Sequence, residues 1–337
     1  MRILLKIFLL TLSYAPLVAA EKIAIGYVPN LAFSQLFVVL GDGWDKEAGV
    51  ELNPIRFSDA SMSIQAFGKG EVDVLYTIIT SGLVGRSKGL DLQVVAVATK
   101  NSNEFWGSPR LAQLAHSMPV ADAIKALAKE KGGPVKILNF YRGSISDTVL
   151  RLWLSRQPGL SERDYSISNI AGQFQFTQAM LAADFDAISF YEPLISIARD
   201  KGLKLEPLLK PQEMLDNHPT AVLAVRGQWA AKHPELVKKL VEFHCRATAQ
   251  LRENPDACVP HLQKFVSGGM LTDALVKTAT HRVIDTFVTD PAPFFSTADI
   301  LQRFLIEQKL MERPVDLKEF INPAYFEKIR PALPNVY

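Results

Sequence analysis

Apolar and polar positions fall along the chain in blocks that repeat the order strand, loop, helix. Lys22 to Tyr27 is a short apolar run of strand character, followed by Val28-Pro29-Asn30 and an apolar helical stretch from Phe33 to Leu40. Val50 to Phe57 alternates as a second strand, Ser58-Asp59-Ala60-Ser61 reads as a loop, and Met62 to Phe67 as a helix. Val72 to Thr77 is a third strand, ending at a polar turn, Thr80-Ser81-Gly82. This order predicts an α/β fold whose sheets are mostly parallel and covered by helices.

The same order returns at a fixed distance. Gln65-Ala66-Phe67 followed by Glu71-Val72-Asp73-Val74 matches Gln178-Ala179-Met180 followed by Asp184-Phe185-Asp186-Ala187, an offset of 113. Moving Lys22 to Tyr27 by that offset lands on Val135 to Phe140, inside the apolar run Val135 to Tyr141. There the chain turns at Gly143 into a helix that Ser144 and Asp147 can cap reciprocally. First-turn amides of such a helix attract a carboxylate, sulfonate or phosphate. Two anchors at one offset predict two similar lobes.

Leu90 to Lys100 with Asn101-Ser102-Asn103 gives a crossing between lobes, and Thr220 to Val225, after Asp216-Asn217-His218, gives the return. Leu111 to Lys131 is helical in pattern and stops at Gly132-Gly133-Pro134. Pro234 then starts a long amphipathic helix, and further helices are expected over Asn254 onward, Thr272 to His281, Thr297 to Leu310 and Ala324 to Ile329. This tail is expected to pack on the first lobe.

Met1 to Ala20 has the layout of a secretory signal peptide: Arg2 and Lys6, an apolar Ile7 to Leu12, Pro16, and the small-residue end Val18-Ala19-Ala20. Its removal turns 37 basic against 35 acidic residues into 35 against 35. No basic excess remains for nucleic acid or an anionic membrane. About 317 residues would remain, 48% of the whole chain being apolar, which suffices for two domains.

Cys245 and Cys258 would lie in an oxidising compartment. A disulfide across the Glu253 to Asp256 turn is the first reading, free buried thiols the second, and a metal site with His244 or His261 the last, because His244 and Cys245 are consecutive on a helix. His218 and His233 each precede a proline and read as exposed turn residues. The chain contains no GxxxxGK[ST], GxGxxG or HExxH pattern, so no cofactor, metal or catalytic set is indicated.

Polar and aromatic residues instead gather at the expected carboxyl ends of strands, where parallel α/β sheets bind ligands. The first lobe offers Asn30 and Phe33, Ser58 and Asp59, then Thr77, Thr80 and Ser81. The second offers Arg142, Ser144 and Ser146, Gln173 and Phe174, then Tyr191 and Glu192.

With these positions marked, the chain resembles the periplasmic solute-binding proteins of ABC importers in the nitrate, sulfonate, taurine and thiamine-precursor group. The residues carrying the resemblance are Ile25-Gly26-Tyr27-Val28-Pro29-Asn30, Gly70-Glu71-Val72-Asp73, Arg142-Gly143-Ser144, Tyr191-Glu192-Pro193, and His233-Pro234-Glu235-Leu236 with Glu253-Asn254-Pro255. The resemblance implies a periplasmic binding protein fold of type II: residues 21–101 and 220–337 as lobe 1, residues 102–219 as lobe 2, two strand crossings, and the C-terminal helices on lobe 1. It implies a periplasmic monomer that closes like a clamp on one small-molecule ligand and delivers it to an ABC permease in the inner membrane. The stretch Asn101 to Pro134 departs from the family pattern, with Glu104-Phe105-Trp106-Gly107 and a polar helix in place of a shorter connection. Arg142 and the Ser144 helix end suit an anion, whereas Glu192, Phe33, Phe174 and Tyr191 suit a flat or amine-bearing organic solute. The rival readings are a pyrimidine-synthase-like or menaquinone-pathway-like enzyme on the same lobes, and a periplasmic ligand sensor.

Overall fold

A computed structural model describes residues 21–267 and 271–333. The expected leader, Met1 to Ala20, lies outside the described residues. The described residues form ten strands: β1 Glu21–Tyr27, β2 Val50–Arg56, β3 Val74–Ile78, β4 Leu92–Lys100, β5 Glu104–Gly107, β6 Val135–Phe140, β7 Tyr165–Ile170, β8 Ala187–Phe190, β9 Glu206–Leu209 and β10 Pro219–Arg226. They form two sheets, in the orders β2-β1-β3-β10-β4 and β7-β6-β8-β5-β9. In both sheets the first three strands run parallel and the fourth is antiparallel to its neighbours. The fold is mixed α/β with mostly parallel sheets, and we call each sheet with its helices a lobe.

The internal repeat is visible strand by strand. Ile25 opposes Val74 in the first sheet and Ile137 opposes Ala187 in the second, offsets of 112 and 113. The helices Ala60–Gly68 and Gln173–Ala182 begin 113 residues apart. Both sheets are covered on two faces, which is why their central strands read as near-continuous apolar runs rather than alternating ones. Ile25, Val74, Ala187 and Ile188 are fully buried.

The crossings lie side by side. The Asn101 amide N–H donates to the His218 carbonyl, and the His218 N–H donates to Asn101 Oδ1, both at 3.0 Å. His218 is not an exposed turn residue: its ring is fully buried, with Nδ1 2.6 Å from the Leu215 carbonyl, and burial lowers its pKa to about 4. The divergent Glu104-Phe105-Trp106-Gly107 stretch is β5, threaded between β8 and β9, and Trp106 is buried beneath the Arg199 guanidinium rather than walling the cleft.

Three more expectations need correction. Thr80-Ser81-Gly82 is not a turn, because β3 runs directly into the helix Ile79–Ser87 without a loop. Cys245 and Cys258 are free and buried; Cys258 Sγ lies 3.8 Å from the Asn254 carbonyl one helical turn back, while Cys245 engages Thr289, so the thiols have separate neighbours. The tail is not confined to the first lobe. Its helices Pro234–Glu253 and Pro255–Leu262 enter that lobe's core, yet Asp273–Val283 also packs on Leu194–Asp200, and Phe295–Glu307 on Ile145–Ser155, both of the second lobe. Among the described residues no helix is long and apolar enough to cross a membrane.

Candidate functional site

Five loops, at the carboxyl ends of β1, β2, β6, β7 and β8, meet the end of β3 at Ile78 between the lobes and enclose an inner chamber of about 50 Å³. Each loop contributes through local chemistry. After β1, Asn30 turns the chain by accepting the Ala32 N–H on Oδ1 at 2.8 Å, which places Phe33 at the chamber. After β2, Asp59 caps the helix Ala60–Gly68: Oδ1 accepts the Met62 N–H at 3.0 Å and Oδ2 accepts the Ser58 hydroxyl at 3.2 Å.

After β6, Gly143 adopts φ +85°, a conformation few other residues tolerate, and the helix Ile145–Ser155 follows. Ser144 Oγ accepts the Asp147 N–H and Asp147 Oδ2 accepts the Gly143 N–H, each at 3.1 Å. Asp147 is buried and also holds Arg151 Nε and Asn169 Nδ2, both at 2.8 Å. The helix end therefore has its own carboxylate already, and its attraction for an external anion is largely spent. The helices beginning at Ile79 and Gln173 carry no side-chain cap, so their first-turn N–H groups remain open donors.

Two tyrosines of the second lobe reach across to the first. Tyr141 hydroxyl lies 3.4 Å from Ser81 Oγ, and Tyr191 bonds to the Asn30 side chain. Burial pushes both phenols above their ordinary range, which keeps them neutral. Tyr191 stacks on Phe140 with ring centroids 4.8 Å apart. Gln173 Oε1 is buried at the chamber without a donor among the described residues. A buried acceptor of this kind calls for a donor from a ligand.

Of the residues expected at the site, Asn30, Phe33, Ser58, Ser144, Ser146, Gln173 and Tyr191 line the inner chamber. Ser146 does so while its hydroxyl donates to Asn139 Oδ1 at 2.9 Å. Ser81 and Arg142 line a neighbouring chamber, with Arg142 Nη2 donating to Gln308 Oε1 at 3.2 Å. Thr77 and Thr80 are buried inside the first lobe and line neither chamber, and Phe174 lies at the surface, 71% exposed.

Glu192 is 3% exposed and borders a recess beside the crossings. Its carboxylate is already engaged: Oε2 accepts the Ser196 N–H at 3.0 Å, and Oε1 accepts Arg282 Nε from the tail. Arg282 Nη2 also donates to Glu104 Oε1 at 2.9 Å. Burial raises the Glu192 pKa, an effect opposed by Ser196 and Arg282. Tyr141, Ile78 and Ile145 line the chamber without having been expected there. Tyr141 was findable by the same strand-end rule, since it follows β6 directly. Among the described residues no cluster of three or more His, Cys, Asp or Glu side chains could hold a metal ion.

Similarity to known proteins agrees with this geometry. The chain shares its fold with the periplasmic aliphatic sulphonate binding protein SsuA of Escherichia coli, at TM-score 0.72 and 17% identity over 91% of this chain and 99% of that one. The periplasmic nitrate-binding protein NrtA of Synechocystis gives 0.74 and 14%, covering 94% and 89%. The ligand-binding component of an ABC-type import system from Staphylococcus aureus gives 0.70 and 15%, covering 91% and 98%. In sequence, the chain is 25% identical over 233 residues to the bicarbonate transport ATP-binding protein CmpC of Synechocystis, a match taking in 66% of this chain and 34% of that protein. The chain thus spans about a third of that relative. Residues 18–258 match the family model described as NMT1-like, and with well over half its length inside that match the chain belongs to the NMT1-like family.

Proposed function

We propose that the chain is the solute-binding component of an ABC importer, exported to the periplasm by its Met1 to Ala20 leader. It closes two lobes on one small solute and presents the closed form to a membrane permease. The observation that carries this reading is the convergence of six strand ends, three from each sheet, on one chamber. Residues 21–101 and 220–337 form lobe 1 and residues 102–219 lobe 2, in keeping with the membership of the sheets. Solute contacts made by both lobes favour closure by their differential free energy alone, so capture needs no covalent step.

The titratable side chains at the inner chamber are Asp59, Tyr141 and Tyr191. With neutral phenols and a carboxylate committed to a helix cap, they suit hydrogen bonding to a small organic solute better than proton transfer. A thermal-shift screen with sulfonates, nitrate, bicarbonate, carboxylates and heteroaromatics tests the reading. A solute at 100 times its dissociation constant should stabilise the protein by about 2.7 kcal/mol. A flat response across all classes, or turnover of the solute that binds, would contradict it.

A further inference from the structure

The inner chamber opens beside a larger one. This outer chamber, about 400 Å³, lies between the helices Ala60–Gly68 and Ile79–Ser87 of the first lobe and the Tyr141 to Gly143 turn of the second. Tyr141 lines both chambers and, with its hydroxyl near Ser81, marks the joint between them.

The two chambers differ in charge. Among the described residues the inner one has a single charged lining residue, Asp59, and no cation. The outer one has two, Lys88 from the first lobe and Arg142 from the second, and no carboxylate. Neither cation makes an ion pair among the described residues, and the neutral Gln308 is the only partner of the Arg142 guanidinium there. Concave walls of one sign concentrate the opposite charge, and a guanidinium offers a paired-donor fork to an oxyanion.

Size points the same way. Ligand cavities for organic molecules usually measure about 300–1,000 Å³. The inner chamber falls far short of that, whereas the outer one reaches it. A solute of more than a few heavy atoms does not fit the inner chamber alone, and the larger adjoining space lies past Tyr141. Inside, Gln173 Oε1 and the open helix ends accept and donate hydrogen bonds, but the helix end at Ser144 is already neutralised by Asp147.

Building on the solute-binding reading, we propose that the outer chamber is an anion subsite. It holds the carboxylate, sulfonate or phosphate of an organic solute between Lys88 and Arg142, while the uncharged body of that solute enters the inner chamber. The anion is gripped by one cation from each lobe, so its charge contributes to closure.

The test uses butane-1-sulfonate and butan-1-ol as matched probes, titrated calorimetrically at low ionic strength into the full chain and into a Lys88→Gln, Arg142→Gln double variant. Both side chains are exposed, and circular dichroism checks that the variant folds. The expected result is at least tenfold weaker sulfonate binding by the double variant, with sulfonate preferred over alcohol only by the wild type. Equal sulfonate affinity in both proteins overturns the subsite, as does a wild type that binds the alcohol as well as the sulfonate or binds neither. If another solute from the thermal-shift screen binds both proteins equally, the subsite falls and the solute-binding reading stands; a screen flat for every solute removes that reading itself.

Discussion

The lobes share a strand order, yet they satisfy the matching buried position on their third strands in different ways. Ser189 on β8 lies 2.9 Å from Ser146 Oγ, which in turn donates to Asn139 Oδ1, so this network closes within the second lobe. The counterpart 113 residues earlier is Tyr76 on β3, whose hydroxyl lies 2.8 Å from His244 Nδ1 on the tail helix Pro234–Glu253. His244 Nε2 faces the carbonyls of Val97 at 3.1 Å and Val288 at 3.2 Å. Two carbonyl acceptors assign the proton to Nε2, leaving Nδ1 to accept from the phenol. The second lobe satisfies this position from within, whereas the first relies on a tail residue, His244, 168 residues later in sequence.

The tail also grips the second lobe, and breaking that grip should have the largest effect of any single substitution. Arg282→Met would leave Glu192 buried without its cation and should cost about 3 kcal/mol, read as a lowered urea midpoint. Adding Glu192→Gln should recover most of the loss, because an unpaired buried charge rather than a missing contact is its source. A double variant no more stable than Arg282→Met would show that the pair merely packs.

Acid should then separate the lobes. Burial lowers both His244 and His218 to about 4, against 6.5 for a free imidazole. The unfolded chain thus takes up protons first. The stability these rings contribute is full above pH 6.5 and is lost as pH falls towards 4, at about 3 kcal/mol for each. His116 of the second lobe, by contrast, has a side chain 74% exposed. Hydrogen exchange at pH 5 should accelerate first in the first lobe and the crossings, and His244→Gln should flatten the dependence. Uniform acceleration in both lobes would erase the distinction. The smallest effect expected is none: a reductant should leave the melting temperature unchanged, since Cys245 and Cys258 are unbonded.

Much of the scaffold was legible because two-sided burial writes itself as apolar runs, and because duplication repeated those runs at one offset. Lys22 to Tyr27 and Val135 to Tyr141 came out within one residue of β1 and β6. The strand-end rule gathered half of the expected site residues into one chamber. It failed where a long-range partner decided the outcome. Glu192 ends β8 as a ligand residue should, yet its role is set by Arg282, 90 residues away. Thr80 and Ser81 looked like a turn because small polar residues punctuate loops, but here they open a helix joined directly to its strand. His218 looked exposed for the same local reason and is buried by the pairing of the two crossings.

The central claim, that one solute is held by both lobes, is tested most directly by calorimetric titration of the solute identified by thermal shift. The comparison is between wild type, Asn30→Ala in the first lobe and Gln173→Ala in the second. The account predicts at least tenfold weaker binding in both variants, each folded by circular dichroism. A loss confined to one lobe, or affinity unchanged in both, would contradict it.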